Sequence, residues 1–162
     1  MLSIAALSSE PLTITALLGD KYGNTVPEGT AVYFSTNKGT INGSASTDAN
    51  GYATSQLQTN QTSPGIATVR VETVDENSTR ISRELDILFS GKPQLAVTPE
   101  TVDLADFTSQ TFAVSLEDEN GNPLAEGTSL EVSMDHPELI LDGDSQVALG
   151  DETTAGPGVT VI

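Results

Sequence analysis

Asp20-Lys21-Tyr22-Gly23-Asn24-Thr25-Val26-Pro27-Glu28-Gly29-Thr30 returns 98 residues later as Asp118-Glu119-Asn120-Gly121-Asn122-Pro123-Leu124-Ala125-Glu126-Gly127-Thr128. Asp, Gly, Asn, Glu, Gly and Thr are identical between the two stretches. The match extends both ways. Ile14, Ala16 and Leu18 align with Phe112, Val114 and Leu116, and Val32 and Phe34 align with Leu130 and Val132. Alternating apolar residues at Leu12, Ile14, Ala16 and Leu18 mark a half-buried strand. Gly23-Asn24 then supplies a reversal, because both residues tolerate positive φ. Pro27 and the turn at Glu28-Gly29 lead into a second strand, Thr30 to Thr36, which buries Val32 and Phe34. The shared segment is strand, turn, strand, and it occurs twice.

Reading outward, the same idiom continues. Asn37-Lys38-Gly39 predicts a turn before a short strand with Ile41. Thr47-Asp48-Ala49-Asn50-Gly51 predicts another, leading to Tyr52–Thr59 with Ala53 and Leu57 inward. Ser63-Pro64-Gly65 turns the chain into Ile66–Thr73, with Ala67, Val69 and Val71 on one face. A last strand, from about Arg80 to Phe89, alternates Ile81, Leu85, Ile87 and Phe89. About seven short strands, with turn signals roughly every ten residues, predict an immunoglobulin-like β-sandwich. A repeat period near the size of one sandwich predicts two in tandem rather than a solenoid. The expected fold class is therefore all-β, two tandem immunoglobulin-like β-sandwich domains. Their expected bounds are 1–91 and 92–162, joined at Gly91-Lys92-Pro93. That joint is short, so the domains are expected end to end with limited freedom. The second domain opens with Leu95 and Val97, then Val102 and Leu104.

Composition narrows the function. Aromatic residues make up only 4%, so Val, Ile, Leu and Thr must build the cores. With 23 acidic and 6 basic residues the formal net charge is −17. Such a surface repels phosphates and anionic lipid, so neither nucleic acid nor membrane insertion is expected. No cysteine is present, so packing must hold each domain without disulfides.

Four separated turn motifs carry a family resemblance. They are Asp20-x-x-Gly23-Asn24-x-Val26-Pro27-x-Gly29-Thr30-x-Val32-x-Phe34, then Gly39-Thr40-Ile41, then Thr47-Asp48-Ala49-Asn50-Gly51-Tyr52-Ala53, then Pro64-Gly65-Ile66-Ala67-Thr68-Val69. In this order they resemble the bacterial Ig-like domains of the invasin and intimin type, over roughly Thr13 to Thr73. The second half resembles that family only in Phe112–Val132. It carries Leu141-Asp142-Gly143-Asp144 where the first has its Thr-Asp-x-x-Gly-x-Ala segment. The resemblance implies an extracellular or cell-surface tandem repeat of an exported protein, with no catalytic residues of its own.

Both ends are expected to be cut. At the 98-residue offset the strand with Leu95 and Val97 would precede Met1, so the first domain is expected to lack its opening strand. Met1–Leu7 is too short, and lacks the basic start, for a signal peptide, so an export signal is expected to have been removed. Gly156-Pro157-Gly158-Val159-Thr160-Val161-Ile162 aligns with Ser63–Val69, which would stop the chain inside a sixth strand. The second domain would then be incomplete and expose a sheet edge able to pair with another chain as an edge-strand dimer.

Residues that could carry chemistry are few. Asp48-Ala49-Asn50-Gly51, Asp118-Glu119-Asn120-Gly121 and Asp142-Gly143-Asp144 place oxygens around a glycine, as calcium loops do. None has the twelve-residue loop with its closing Glu, and Asx-Gly pairs are what β-turns prefer. His136 is the single histidine; Ser133 and Asp135 are near it in sequence but alternate in direction along a strand. A loop histidine in solvent is the expectation. Tyr22, Tyr33 and Tyr52 sit at a turn and in strands, with Tyr33 alternating outward from Val32 and Phe34. Asn42-Gly43-Ser44, Asn60-Gln61-Thr62 and Asn77-Ser78-Thr79 match glycosylation sequons, expected by chance in Asn/Ser/Thr-rich loops. Hydrolase, zinc and thiol chemistry all lack parts. Paired carboxylates for glycoside hydrolysis are not excluded by counting, but without Trp, sugar-stacking platforms are scarce.

No catalytic, cofactor or metal residue is therefore assigned, and no enzyme activity. The expected role is a structural or adhesive module whose partners are neighbouring Ig-like modules of the same chain and a ligand that is a surface protein or a glycan. The alternative is a carbohydrate- or calcium-binding accessory module of a secreted enzyme.

Overall fold

The computed structural model describes residues 2–5, 10–59, 64–105, 108–143, 145–149 and 158–161. Among them the chain forms strands and turns and no helix. The N-terminal half holds β1 (Leu2–Ala5), β2 (Leu12–Leu17), β3 (Ala31–Thr36), β4 (Thr40–Ile41), β5 (Ser44–Ser46), β6 (Tyr52–Gln58), β7 (Gly65–Val74) and β8 (Arg80–Ser90). The C-terminal half holds β9 (Pro93–Thr98), β10 (Ala113–Asp118), β11 (Ser129–Glu131), β12 (Gln146–Ala148) and β13 (Gly158–Val161).

Two N-terminal sheets form, in the orders β1-β8-β7-β3-β5 and β2-β6-β4. All pairings within them are antiparallel except β1 with β8. Period-two alternation decides which side chains face inward. Ile14 of β2 and Ala53 and Leu57 of β6 come from one sheet. Val32, Phe34, Ala67, Val69, Ile87 and Phe89 come from the other, and all join a single buried cluster. Two sheets sharing one core is the arrangement of a β-sandwich. Tyr33, half exposed, points away from that core, as its alternation predicts.

The C-terminal sheets are smaller, β13-β10-β9 and β11-β12. They bury a second, separate cluster of Val114, Leu116, Leu124 and Leu130. The two halves thus have two cores and not one merged core. Only Gly91 and Lys92 lie between β8 and β9.

Part of the hydrogen bonding of the first stretch recurs in the second, although Thr47 Oγ1, which also bonds Thr30 N–H and the Pro27 carbonyl, has no counterpart at Leu149. Thr30 Oγ1 donates to the Pro27 carbonyl at 2.7 Å, and Thr128 Oγ1 to the Ala125 carbonyl at 2.7 Å. Gly29 N–H donates to Thr47 O, and Gly127 N–H to Leu149 O. Thr47 N–H and Leu149 N–H in turn donate to Thr30 O and Thr128 O. The same corner therefore anchors the β3–β5 and β11–β12 ladders.

One sequence expectation differs from the structure. β13 pairs with β10, the position β6 holds beside β2, whereas aligning Gly156–Ile162 with Ser63–Val69 had placed it as the counterpart of β7. A Pro-Gly-Val-Thr-Val run fits any half-buried strand, so composition alone does not select its neighbour. Val102 and Leu104 lie outside any strand, and Val102 is about half exposed. Ser63 and Ile162 lie outside the described residues.

Candidate functional site

Four aspartates build the same corner: Asp20, Asp48, Asp75 and Asp118. In each, the Asp N–H donates to the carbonyl four residues on (Asn24, Tyr52, Thr79, Asn122), at 2.8–2.9 Å. The N–H three residues on (Gly23, Gly51, Ser78, Gly121) donates back to the Asp carbonyl. One carboxylate oxygen then accepts the N–H groups at the second and fourth residues after the Asp. These are Tyr22 and Asn24 for Asp20, Asn50 and Tyr52 for Asp48, Asn77 and Thr79 for Asp75, and Asn120 and Asn122 for Asp118. The carboxylate satisfies donors that a tight reversal would leave unpaired.

The fourth residue of every corner has positive φ: 86° at Gly23, 80° at Gly51, 75° at Gly121 and 62° at Ser78. Three are glycine, which adopts this conformation freely; Ser78 bears the Cβ cost. Ser78→Gly is therefore expected to stabilise the protein by about 0.5 kcal/mol, the αL penalty less the extra entropy glycine loses on folding. Chemical denaturation of the two proteins side by side checks it. The sequence reading of Asn77-Ser78-Thr79 saw only a sequon; the Asp three residues upstream of Ser78 is the signal that identifies the corner.

The corners differ in their surroundings. Asp20 and Asp48 are exposed, whereas Asp118 is fully buried at the joint between the halves. Its Oδ1 accepts from Asn120 N–H, Asn122 N–H and Asn122 Nδ2, at 2.8–3.0 Å. Its Oδ2 accepts from Asn122 Nδ2 at 2.9 Å and, across the joint, from Gly91 N–H at 2.9 Å. Glu119 N–H donates to the Lys92 carbonyl at 3.1 Å. The contact is close-fitting: a Cβ on Gly91 would lie 3.0 Å from Asp118 Oδ2 and 3.0 Å from Pro64 Cγ. Gly65 passes between Lys38 and Asn122, and Lys38 Nζ donates to the Pro64 carbonyl at 2.7 Å. The end of the first half is thus seated on the Asp118 corner.

Burial pushes the Asp118 carboxyl up, but the Asn122 side chain and the Asn122, Gly91 and Asn120 N–H groups outweigh it and hold the acid below its ordinary value. Asp20 is also lowered, chiefly by the Asn24 side chain and N–H. A depressed folded-state acid adds stability that is complete above the unfolded-state value of about 3.9 and disappears as pH falls through the lower folded-state value. Unfolding midpoints are therefore expected to fall below about pH 4, and the fall should be shallower in Asp118→Asn, which removes the titrating group.

No family model, curated protein or solved structure matches this chain.

The remaining sequence candidates are not gathered into one place. In the Asp48 and Asp118 turns the carboxylate oxygens accept N–H groups within the corner, so they act as turn caps. Asp142 and Gly143 lie in an exposed loop, and Asp144 is outside the described residues. Among the described residues no group of three or more His, Cys, Asp or Glu is placed to hold a metal. His136 is exposed, and its Nδ1 accepts the Glu138 N–H at 3.3 Å, a local turn contact. Tyr22 is exposed beside Lys21, whose Nζ lies 4.9 Å from its ring centre. Tyr52 follows the Asp48 corner and is exposed. Asn42 and Asn77 are exposed in loops, and Asn60-Gln61-Thr62 lies outside the described residues. Among the described residues no helix is long and apolar enough to cross a membrane.

Two concave regions stand out. A cavity of about 380 Å³ between the C-terminal sheets is lined by Leu95, Val97, Phe112, Val114, Leu130 and Met134, among others. A larger cleft of about 1080 Å³ opens between β2 and the far end of β8. The first is an apolar margin of its core, whereas the cleft mixes apolar residues with charged ones, among them Asp20, Lys21, Glu72, Asp75, Arg83 and Glu84.

Proposed function

We propose that this chain is a non-catalytic structural or adhesive segment of a bacterial cell-surface or exported protein, built from two immunoglobulin-like units in series. The bacterial Ig-like resemblance of Thr13–Thr73 and the all-β sheets support the units. One observation carries the serial arrangement. The fully buried Asp118 carboxylate takes the Gly91 N–H into the same set of bonds that shapes its own corner. A flexible tether would not spend a buried carboxylate on the linker, because burying the group is costly unless its oxygens are filled. A stiff joint is what a spacer holding an adhesive tip away from a surface requires. The net charge of −17 keeps such a rod soluble and away from anionic surfaces.

Small-angle scattering combined with calorimetric titration tests this. The expected result is an extended particle of fixed length whose dimensions do not change with salt, and no saturable heat with calcium or a glycan panel. Saturable binding of either would replace the spacer with a ligand-binding accessory module. A scattering curve of two freely jointed bodies would remove the stiff joint.

A further inference from the structure

Three Asn-Gly pairs occur in the chain: Asn42-Gly43, Asn50-Gly51 and Asn120-Gly121. Such a pair is prone to spontaneous loss of the side-chain amide, because glycine has no Cβ to hinder attack by its own nitrogen. All three asparagines are exposed, so access to water does not separate them. The attacking nitrogen does. Gly51 N–H donates to the Asp48 carbonyl at 3.0 Å, and Gly121 N–H to the Asp118 carbonyl at 2.9 Å. The Asn50 and Asn120 N–H groups are tied to the carboxylates of the same aspartates, each at 2.8 Å. A nitrogen held in this way must break its bond before it loses its proton, and the nearby carboxylate charge opposes that loss. The Asp corners thus protect the two asparagines they contain.

Asn42-Gly43 lies outside any such corner. Gly43 N–H meets no acceptor among the described residues, although its carbonyl accepts the Phe34 N–H at 3.0 Å. The Asn42 carbonyl, the other half of the same peptide group, accepts the hydroxyl of buried Ser55 at 2.7 Å. A donor on that oxygen stabilises the negative charge left when the nitrogen loses its proton. Only these two residues join β4 to β5, which belong to different sheets. Asn42 is bonded to Gln56 and Ser55 of β6 in one sheet, and Gly43 to Phe34 of β3 in the other.

We propose that Asn42 is a site of selective, non-enzymatic deamidation that loosens the β4–β5 link as the protein ages. Solvent base takes the Gly43 N–H proton. The nitrogen bonds Asn42 Cγ, and the Cγ–Nδ2 bond breaks with release of ammonia. Water then opens the resulting cyclic imide at either carbonyl. Opening at the former side-chain carbonyl leaves aspartate, and opening at the main-chain carbonyl leaves isoaspartate. The isoaspartyl product carries the chain through Cβ and Cγ, which lengthens a link already fixed at both ends.

Peptide mapping by mass spectrometry after incubation of the full chain at mildly alkaline pH tests the site. Gly43→Ala and the unaltered chain in denaturant run beside it. A Cβ on Gly43 meets nothing nearer than the Phe34 carbonyl at 3.9 Å, so the variant is expected to keep the fold. In the folded protein Asn42 should become mixed aspartate and isoaspartate at least about tenfold faster than Asn50 or Asn120, whose corners must open first. Gly43→Ala should suppress the conversion, and denaturant should bring the rates of the three sites together. The Phe34 amide should exchange faster in the isoaspartyl fraction than in unconverted protein. Asn50 or Asn120 reacting as fast as Asn42 in the folded chain overturns the proposal. So does a preference for Asn42 that persists undiminished in denaturant, which assigns it to local sequence and not to the fold. Unchanged Phe34 exchange in the isoaspartyl fraction overturns the loosening of the link.

Discussion

Phe89→Ala is expected to destabilise the N-terminal sandwich by about 3–5 kcal/mol, the range for emptying a buried aromatic site. Phe89 is 1% exposed and is among the largest fully buried side chains. It sits near the end of β8, paired with Gly65 of β7, and its ring closes over the Asn37–Gly39 turn. A Cβ on Gly39 would lie 3.0 Å from that ring and 2.4 Å from the Gln58 carbonyl, so the turn and the ring are fitted to each other. Little can collapse into the space, because the backbone on one side is committed to a turn and on the other to a ladder. The cost therefore belongs at the upper part of the range. Hydrogen exchange separates the halves: amides of β3, β7 and β8 should lose protection, and those of β10 should keep theirs. Parallel loss in β10 would mean that the two clusters unfold as one cooperative unit, despite being separate in space.

What could be read from the residues was whatever repeats or alternates. The Asp-x-x-Gly-Asn corners announce themselves because an αL position and a capping carboxylate leave few residue choices. Ala53 and Leu57, and Ala67 and Val69, are buried as their spacing requires. Ile81 and Leu85 were legible as core-facing but not as exposed. Alternation reports the face of a sheet, whereas exposure depends on whether another strand covers that face. Context decides the remainder. Asp20 and Asp118 have the same local sequence, yet one is in solvent and the other buried at a joint. The difference is made by Gly91, 27 residues away from Asp118 in sequence. Nothing within the corner encodes it. The position of β13 fails for the same reason, since a short strand is chosen by its neighbour's open edge as much as by its own residues.

Replacing Asp118 is expected to show this contrast in energy. In Asp118→Ala the Gly91, Asn120 and Asn122 N–H groups lose their acceptor in a site closed to water. Each stranded buried donor costs about 1–3 kcal/mol, so a loss of about 3 kcal/mol or more is expected even after partial relaxation. Asp118→Asn is nearly isosteric and keeps one acceptor oxygen. Its amide nitrogen, however, must face either Gly91 N–H or the Asn120 and Asn122 N–H groups, and Asn122 Nδ2 in both cases, donor against donor, and a loss of about 1–2 kcal/mol follows. Asp20→Ala removes the same local bonds where water replaces them, so its effect is the smallest of the three. The decisive readout is positional. Gly91 and Lys92 amides should exchange faster in Asp118→Ala while β3 and β7 remain protected, and the scattering curve should broaden toward two loosely jointed bodies. If instead the joint amides stay slow and the particle keeps its dimensions, the carboxylate caps its own turn and nothing more, and the packing of Gly65 against Asn122 holds the halves together.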